Sequence, residues 1–354
     1  MILHIFPYEK FTQDYIERVN NLYDSREHEY WIYGEKEKNE IHTVNGENVV
    51  FEDDIKENPY LELRKHILKS DKVIVHSLFF GMKKLLWLTI IELFHPDKFF
   101  WNIWGGDLYN EYWNRNESIK AKLRENIKKC FIRNLRAVGY IRGDYEFLKE
   151  HYKTKAKFYI ASYSYDFFVP QVNAKREDKK TVNILLGNSA TKECRYDEMI
   201  EQLKEYKDYP INIKCVLSYP TKNEEYRNHV IEHGKSVFGD KFIPLVDFMN
   251  YDDYTKMLAG IDVAIFNHNR QQALGNIASL LYLGKRVFIN PDNACKSYFE
   301  DIGAIIYSTE ELTEKEICKK DNTEMKKINQ KAIDDFFSDE QFKKRWDKIF
   351  KDNY

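Results

Sequence analysis

The sequence predicts an α/β protein built from two Rossmann-like domains facing a central cleft. Two observations carry this. Short apolar runs alternate with helical patterns twice over, and a polar, charge-rich stretch separates the two series. Such alternation implies a parallel sheet covered by helices on both faces, with ligands outside the carboxyl ends of the strands. A chain of 354 residues that is 43% hydrophobic is long and apolar enough for two cores.

In the first series the candidate strands are Ile2–Phe6, Glu29–Tyr33, Val73–His76, Phe99–Trp104, Ala137–Ile141 and Phe158–Ala161. Helical patterns are clearest at Met82–Phe94, Glu117–Leu135 and Asp144–Tyr152. The stretch around Pro170, Asn173 and Lys175-Arg176-Glu177-Asp178-Lys179-Lys180 then breaks the pattern. The second series offers strands Val182–Leu186, Ile211–Leu217, Lys241–Ile243, Ile261–Phe266, Arg286–Ile289 and Ala304–Ile306. The expected boundaries are 1–168 for the first domain, 169–181 for a linker and 182–335 for the second domain, and residues 336–354 form a helix. Phe342, Trp346 and Phe350 pack that helix back on the body.

A net charge of -2 excludes a generally basic nucleic-acid binder. Cys130, Cys194, Cys215, Cys295 and Cys318 are scattered without a CxxC pair, which argues for reduced thiols in a cytosolic compartment and against a cysteine zinc site. The N-terminus reads as a strand, without a signal-type run. Leu85 to Phe94 is the most membrane-like segment but is about half the length of a span, so it is expected as a buried helix.

The most informative stretch is Asn267-His268-Asn269-Arg270-Gln271-Gln272-Ala273-Leu274-Gly275-Asn276, between an apolar strand and a helix expected from Ile277. Free N–H groups and the positive dipole end favour an anion there. His268, Asn269, Arg270, Gln271 and Gln272 supply polar contacts, and Gly275 and Asn276 allow close backbone approach. The alternative is a polar loop capping a helix. Gly187-Asn188-Ser189-Ala190-Thr191 is a second strand-to-helix turn, with a helix expected over Glu193–Tyr206. Its Gly187, Asn188, Ser189 and Thr191 either hold a phosphate or serve as an N-cap.

In the first domain, Trp104-Gly105-Gly106-Asp107-Leu108-Tyr109 ends another strand. Asp107 there is a candidate base or sugar-hydroxyl ligand, against the commoner role of a turn cap, and His76 is the second candidate. Between Arg115 and Arg142 nine basic residues (Arg115, Lys120, Lys122, Arg124, Lys128, Lys129, Arg133, Arg136 and Arg142) face two acidic ones, Glu117 and Glu125. That asymmetry suits an anionic membrane surface, at roughly 1 kcal/mol per basic residue, or is a solvated helix face. No nucleic-acid motif accompanies it. The chain has neither a dinucleotide G-x-G-x-x-G after its first strand nor a P-loop. Glu52-Asp53-Asp54 and Asp252-Asp253 read as turn or cap residues, and no histidine spacing points to zinc, so no metal and no cofactor are expected.

Taken in order, Trp104-Gly105-Gly106-Asp107-Leu108-Tyr109, Leu186-Gly187-Asn188-Ser189 and Arg270-Gln271-Gln272-Ala273-Leu274-Gly275 resemble the bacterial TDP-N-acetylfucosamine:lipid II N-acetylfucosaminyltransferase family, the 4-alpha-L-fucosyltransferases. The likeness spans roughly residues 70 to 310. It implies a GT-B glycosyltransferase, with a nucleotide-sugar donor in the C-terminal domain and a lipid-linked acceptor at the N-terminal one. It further implies peripheral work at the cytoplasmic side of the bacterial inner membrane, in synthesis of an enterobacterial common antigen-like polysaccharide.

The resulting expectation is transfer of a deoxyamino sugar from a dTDP- or UDP-sugar to a polyprenyl-diphosphate-linked saccharide, without metal. Gly187, Asn188, Ser189, Thr191, His268, Asn269, Arg270, Gln271, Gln272, Gly275 and Asn276 face the donor. Trp104, Gly105, Gly106 and Tyr109 face the acceptor, with Asp107 or His76 as base. A nucleotide-sugar epimerase of the same architecture and a non-catalytic glycolipid binder are the alternatives.

Overall fold

A computed structural model describes residues 1–9, 11–34, 44–113, 118–163, 181–219, 224–318 and 322–352, with backbone alone at 110–113 and 251. Residues 169–180 of the expected linker, and Arg115 and Glu117 of the basic stretch, lie outside the described residues. The chain divides into two compact units, Met1–Phe167 together with Phe337–Tyr354, and Phe168–Phe336.

The first unit holds β1 (Ile2–Pro7), β2 (His28–Tyr33), β3 (Val49–Phe51), β4 (Lys72–His76), β5 (Phe99–Asn102), β6 (Ala137–Tyr140) and β7 (Lys157–Ile160), in the order β3-β2-β1-β4-β5-β6-β7. Every pairing is parallel. Helices α1 (Thr12–Leu22), α2 (Pro59–Lys69), α3 (Met82–Phe94), α4 (Gly106–Trp113), α5 (Ile119–Asn134) and α6 (Arg142–Phe147) make the crossovers. Strands buried on both faces need apolar residues at successive positions rather than alternate ones. Val73, Ile74 and Val75 of β4 are all fully buried, as that rule requires.

The second unit repeats the plan. Its strands are β8 (Val182–Leu186), β9 (Ile211–Val216), β10 (Phe242–Leu245), β11 (Val263–Phe266), β12 (Arg286–Ile289) and β13 (Tyr307–Ser308), in the order β10-β9-β8-β11-β12-β13. Its helices are α7 (Tyr196–Leu203), α8 (Glu224–Phe238), α9 (Tyr251–Ala259), α10 (Leu274–Tyr282), α11 (Ala294–Asp301), α12 (Glu314–Cys318) and α13 (Thr323–Phe337). In each sheet the chain runs outward from the first strand in one direction and then reverses, the dinucleotide-fold order. The reversal leaves a crevice at the carboxyl ends of β1 and β4, and another at those of β8 and β11.

The last helix, α14 (Asp339–Lys351), belongs to the first unit. Phe342, Trp346 and Ile349 are fully buried on one stripe of it. The Trp346 indole donates to the Ser162 carbonyl at 3.0 Å and meets the Tyr15 ring at 5.2 Å.

Three local departures from the sequence expectation have physical reasons. β3 is three residues long, too short for a twofold period to register. α10 begins at Leu274 rather than Ile277, because Gly275 and Asn276 occupy its first turn, where N–H groups need no intrahelical partner. The expected helix over Glu193–Tyr206 is interrupted by Arg195 at φ 51°, a left-handed residue that redirects the chain into α7.

Candidate functional site

The crevice of the second unit is built by two strand-end loops. After β8, Gly187 turns the chain at φ 65°, and a Cβ there would overlap the Tyr196 ring. Only glycine fits, since both the backbone sign and the space exclude a side chain. The Tyr196 hydroxyl lies 2.8 Å from the Ser189 and Val216 carbonyl oxygens, so the buried first residue of α7 braces the loop from below. After β11 the chain runs through Asn267–Gln272 to Ala273, at φ 60° a strained non-glycine residue that starts α10. Gln272 Nε2 donates to Asn188 Oδ1 at 2.8 Å and to Ser189 Oγ at 2.7 Å, and the Ser189 and Thr191 hydroxyls are 3.2 Å apart. The structure therefore brings Gly187, Asn188, Ser189, Thr191 and His268 to Gln272 together, with Gly275 and Asn276 in the first turn of α10.

His268 Nε2, Asn269 Oδ1, Arg270 Nε, Gln271 Oε1 and Gln272 Oε1 are all shielded from solvent without a hydrogen-bond partner among the described residues. Buried polar atoms are satisfied in the great majority of cases. Five consecutive exceptions stand beside a helix N-terminus that lacks a side-chain cap. Burial lowers the His268 imidazole to about 3, against a hydrogen bond to the Arg270 carbonyl. The ring is thus neutral, and its Nδ1 lies 3.0 Å from the Arg270 carbonyl oxygen and 2.5 Å from Asn293 Nδ2. Half-buried Arg270 makes no ion pair among the described residues and is the fixed positive charge of the loop.

Residues that sequence reasoning missed hold this loop. Asn293, the N-cap of α11, donates to the carbonyl oxygens of His268 (2.5 Å) and Arg270 (2.8 Å). Asn290, at the end of β12, donates to Asn267 at 3.2 Å, and Glu198 accepts from Asn267 at 3.4 Å. The available signal was Asn290-Pro291-Asp292-Asn293, a third polar turn between a strand and a helix of the same sheet.

In the first unit Asp107, His76 and Tyr109 are all buried and hydrogen-bonded to neighbouring residues. Asp107 is buried. Its Oδ2 accepts from the Leu78 N–H at 2.9 Å and the Trp101 indole at 3.0 Å, and its Oδ1 accepts from the Trp104 N–H at 2.9 Å. Burial pushes this carboxyl up, while those three donors hold it down. Both oxygens are thus engaged in clamping the strand ends of β4 and β5. Tyr109 is core, its hydroxyl donating to Asp144 at 2.8 Å. Gly105 turns at φ 76°, and half-buried Trp104 and Gly106 remain at the strand end.

His76 is fully buried at the end of a stacked histidine chain. Asn102 and Trp104 donate to the Tyr163 hydroxyl oxygen, which leaves the phenol proton for His76 Nδ1 at 2.9 Å. His76 Nε2–H then donates to His4 Nδ1 at 3.1 Å, and His4 Nε2–H to His28 Nδ1 at 3.0 Å. One donor assignment at Tyr163 sets three tautomers in turn. Burial lowers all three imidazoles, His28 to about 4. His76 therefore has no nitrogen left for a substrate.

The basic stretch is not one surface. Lys128 is buried and donates to the Asp107 and Leu108 carbonyls at 3.1 Å, and half-buried Arg124 reaches those of Leu78 (3.2 Å) and Phe80 (3.1 Å). Lys120, Lys122, Arg133, Arg136 and Arg142 are exposed. Nor is α3 a buried helix throughout. Leu86, Ile90, Leu93 and Phe94 are exposed on it, as are Ile119 (86%) and Leu123 on α5, which packs beside it. Among the described residues no helix is long and apolar enough to cross a membrane.

Several solved structures share this architecture. A glycosyltransferase from Rickettsia africae ESF-5 is 15% identical, with a TM-score of 0.66 over 99% of this chain and 97% of that one. HepE of Anabaena, solved with UDP and glucose, is 9% identical, with a TM-score of 0.69 over 99% and 100%. WaaG, a glycosyltransferase involved in lipopolysaccharide biosynthesis, is 11% identical, with a TM-score of 0.56 over 97% and 95%. These likenesses establish the GT-B fold. The sequence pattern of the 4-alpha-L-fucosyltransferase family, glycosyl transferase group 56, matches residues 48–353, which takes in both strand-end loops of the second unit and the Trp104–Tyr109 turn of the first. By that match the chain belongs to the group 56 glycosyltransferases.

Proposed function

We propose that this glycosyltransferase moves a deoxyamino sugar of the N-acetylfucosamine type from a dTDP- or UDP-sugar to a polyprenyl-diphosphate-linked saccharide. The observation that carries the reading is the row of unsatisfied buried polar atoms from His268 to Gln272 beside the N-terminus of α10. The donor diphosphate lies against the free N–H groups of α10 and the Gly187–Thr191 turn. Arg270 offsets the negative charge that grows on the leaving phosphate, the electrostatic stabilisation that such transfers need. That charge and the helix dipole act in place of a divalent cation, so the chemistry is metal-independent. The acceptor lies in the first unit, at the Trp104–Gly106 turn that Asp107 holds in shape.

The apolar and basic side chains of α3 and α5 support a peripheral seat on an anionic membrane, at the cytoplasmic side of a bacterial inner membrane. Exposed apolar groups that share their helices with exposed lysines (Lys83 on α3, Lys120 and Lys122 on α5) insert at the headgroup boundary and gain from anionic lipid.

A thermal-shift titration with dTDP, UDP and GDP, each with EDTA or Mg²⁺, tests the donor site. One-site binding adds about 2.7 kcal/mol of stability at a hundredfold excess over the dissociation constant. A metal-independent shift with dTDP or UDP that Arg270→Ala abolishes is expected. No shift with any nucleotide sinks the reading.

A further inference from the structure

The second unit carries a cluster of metal-ligating side chains that the transfer chemistry does not use. His229 and His233 stand one turn apart on α8, and Asp197 and Glu201 one turn apart on α7, which packs against it. Residues four apart on a helix share a face, so each helix presents a pair to the other. Asp197 Oδ1 lies 3.0 Å from His229 Nε2 and 2.6 Å from His233 Nδ1. The ligand atoms of the three residues all fall within 4.8 Å of one another.

We propose that Asp197, His229 and His233 form a divalent-cation site of the zinc class that ties α7 to α8. Two imidazole nitrogens and one carboxylate oxygen are the donor set that zinc takes at about 2.0–2.2 Å, with a fourth position for water. The fourth member gives the site its direction. Glu201 Oε1 lies 2.9 Å from His233 Nε2, which directs the His233 Nε2 proton to that carboxylate and turns Nδ1 toward Asp197. A carboxylate behind the far nitrogen of a ligating histidine is the usual outer support of such a ligand. Side-chain exposures of 57% at His229 and 47% at Asp197 leave the position open to an ion from solution. A cation seated there replaces the two N–H···O contacts to Asp197 with metal–nitrogen and metal–oxygen bonds, and releases the protons those nitrogens carry.

The site also touches the donor loops through the chain. Asp197 is followed by Glu198, whose carboxylate accepts from Asn267 at the end of β11. A bound ion therefore braces the first turn of α7, the helix that carries the Tyr196 support of Gly187. This role is structural and independent of the transfer step.

Co²⁺ titrated into the full-length, EDTA-treated protein tests the assignment, with visible d–d absorption reporting low-coordinate nitrogen and oxygen ligation and a thermal shift read in parallel. One equivalent of Co²⁺ is expected to bind and to be displaced by Zn²⁺ but not by Mg²⁺, which prefers an all-oxygen octahedron. The His229→Ala/His233→Ala variant should lose the absorption while keeping its metal-free melting point within a few degrees, and Glu201→Gln should weaken binding by about 10–100-fold. Absorption that persists in the double histidine variant, or that carries thiolate charge-transfer intensity from a cysteine, overturns the site, as does a wild-type protein that neither binds Co²⁺ nor shifts with Zn²⁺.

Discussion

Gln272 Nε2 donates to Ser189 Oγ at 2.7 Å, joining the loop after β11 to the loop after β8 across the point where the strand order reverses. The same nitrogen reaches Asn188 Oδ1, so one amide fixes the gap between the two sides of the proposed diphosphate seat. Two hydrogen bonds of about 0.5–1.5 kcal/mol each are lost in Gln272→Ala. We expect nucleotide binding, read by calorimetry, to weaken roughly tenfold, with the melting point lowered by a few degrees. Unaltered affinity would show that the two loops keep their spacing without it.

Asp107→Asn distinguishes a clamp from a base. An amide keeps one acceptor oxygen but sets an NH₂ against an N–H donor, leaving at least one buried donor unpaired at about 1–3 kcal/mol. We expect a melting point lowered by several degrees and a pH–rate profile that keeps both limbs. A stable variant with turnover down a thousandfold and one limb missing would restore Asp107 to the chemistry.

The histidine chain sets a pH dependence of stability. Burial holds His28 at about 4, while an unfolded histidine titrates near 6.5. Between those values the unfolded chain binds a proton that the folded chain refuses. The stability present above about pH 6.5 is therefore lost as pH falls toward 4, at about 1.4 kcal/mol per pH unit for this residue. His4 and His76 shift in the same direction and add to the slope. Urea midpoints at pH 7.5, 6 and 5 should fall in that order, and less steeply in His28→Asn. Equal slopes in the two proteins would mean that His28 takes its proton without unfolding.

Phe94 and Ile119 test the membrane seat. Each apolar side chain withdrawn from water contributes about 1.5–3 kcal/mol, so Phe94→Ser/Ile119→Ser should cut vesicle binding by well over tenfold while leaving nucleotide binding alone. Wild-type protein should prefer anionic to zwitterionic vesicles and release as salt rises. Equal sedimentation of the two proteins with anionic vesicles would remove these helices from the interface.

What the sequence disclosed follows from how locally each feature is encoded. Strands such as Val73–His76 and the helix Met82–Phe94 were legible because apolar runs and their breaks are short-range signals. The two strand-end loops of the second unit were legible because a strand, a polar turn and a helix follow one another directly in the chain. The role of Asp107 was hidden, since its partners Leu78 and Trp101 come from different strand ends and only the register of β4 against β5 brings them together. The histidine chain was hidden for the same reason, with His4, His28 and His76 contributed by three strands. His229 and His233 were the opposite case. Their four-residue spacing stood in plain view, but Asp197 and Glu201, which give it meaning, lie on another helix.

The return of α14 to the first unit has a consequence for how the chain is made. Trp346 cannot reach Tyr15 and Ser162 until α14 has left the ribosome. The second unit is continuous in sequence and can close its core while α14 is still being synthesised. The half that is translated first is thus the half that finishes last, waiting with its β1 face uncovered. A chain that stops short of α14 has a complete second unit beside an unfinished first one.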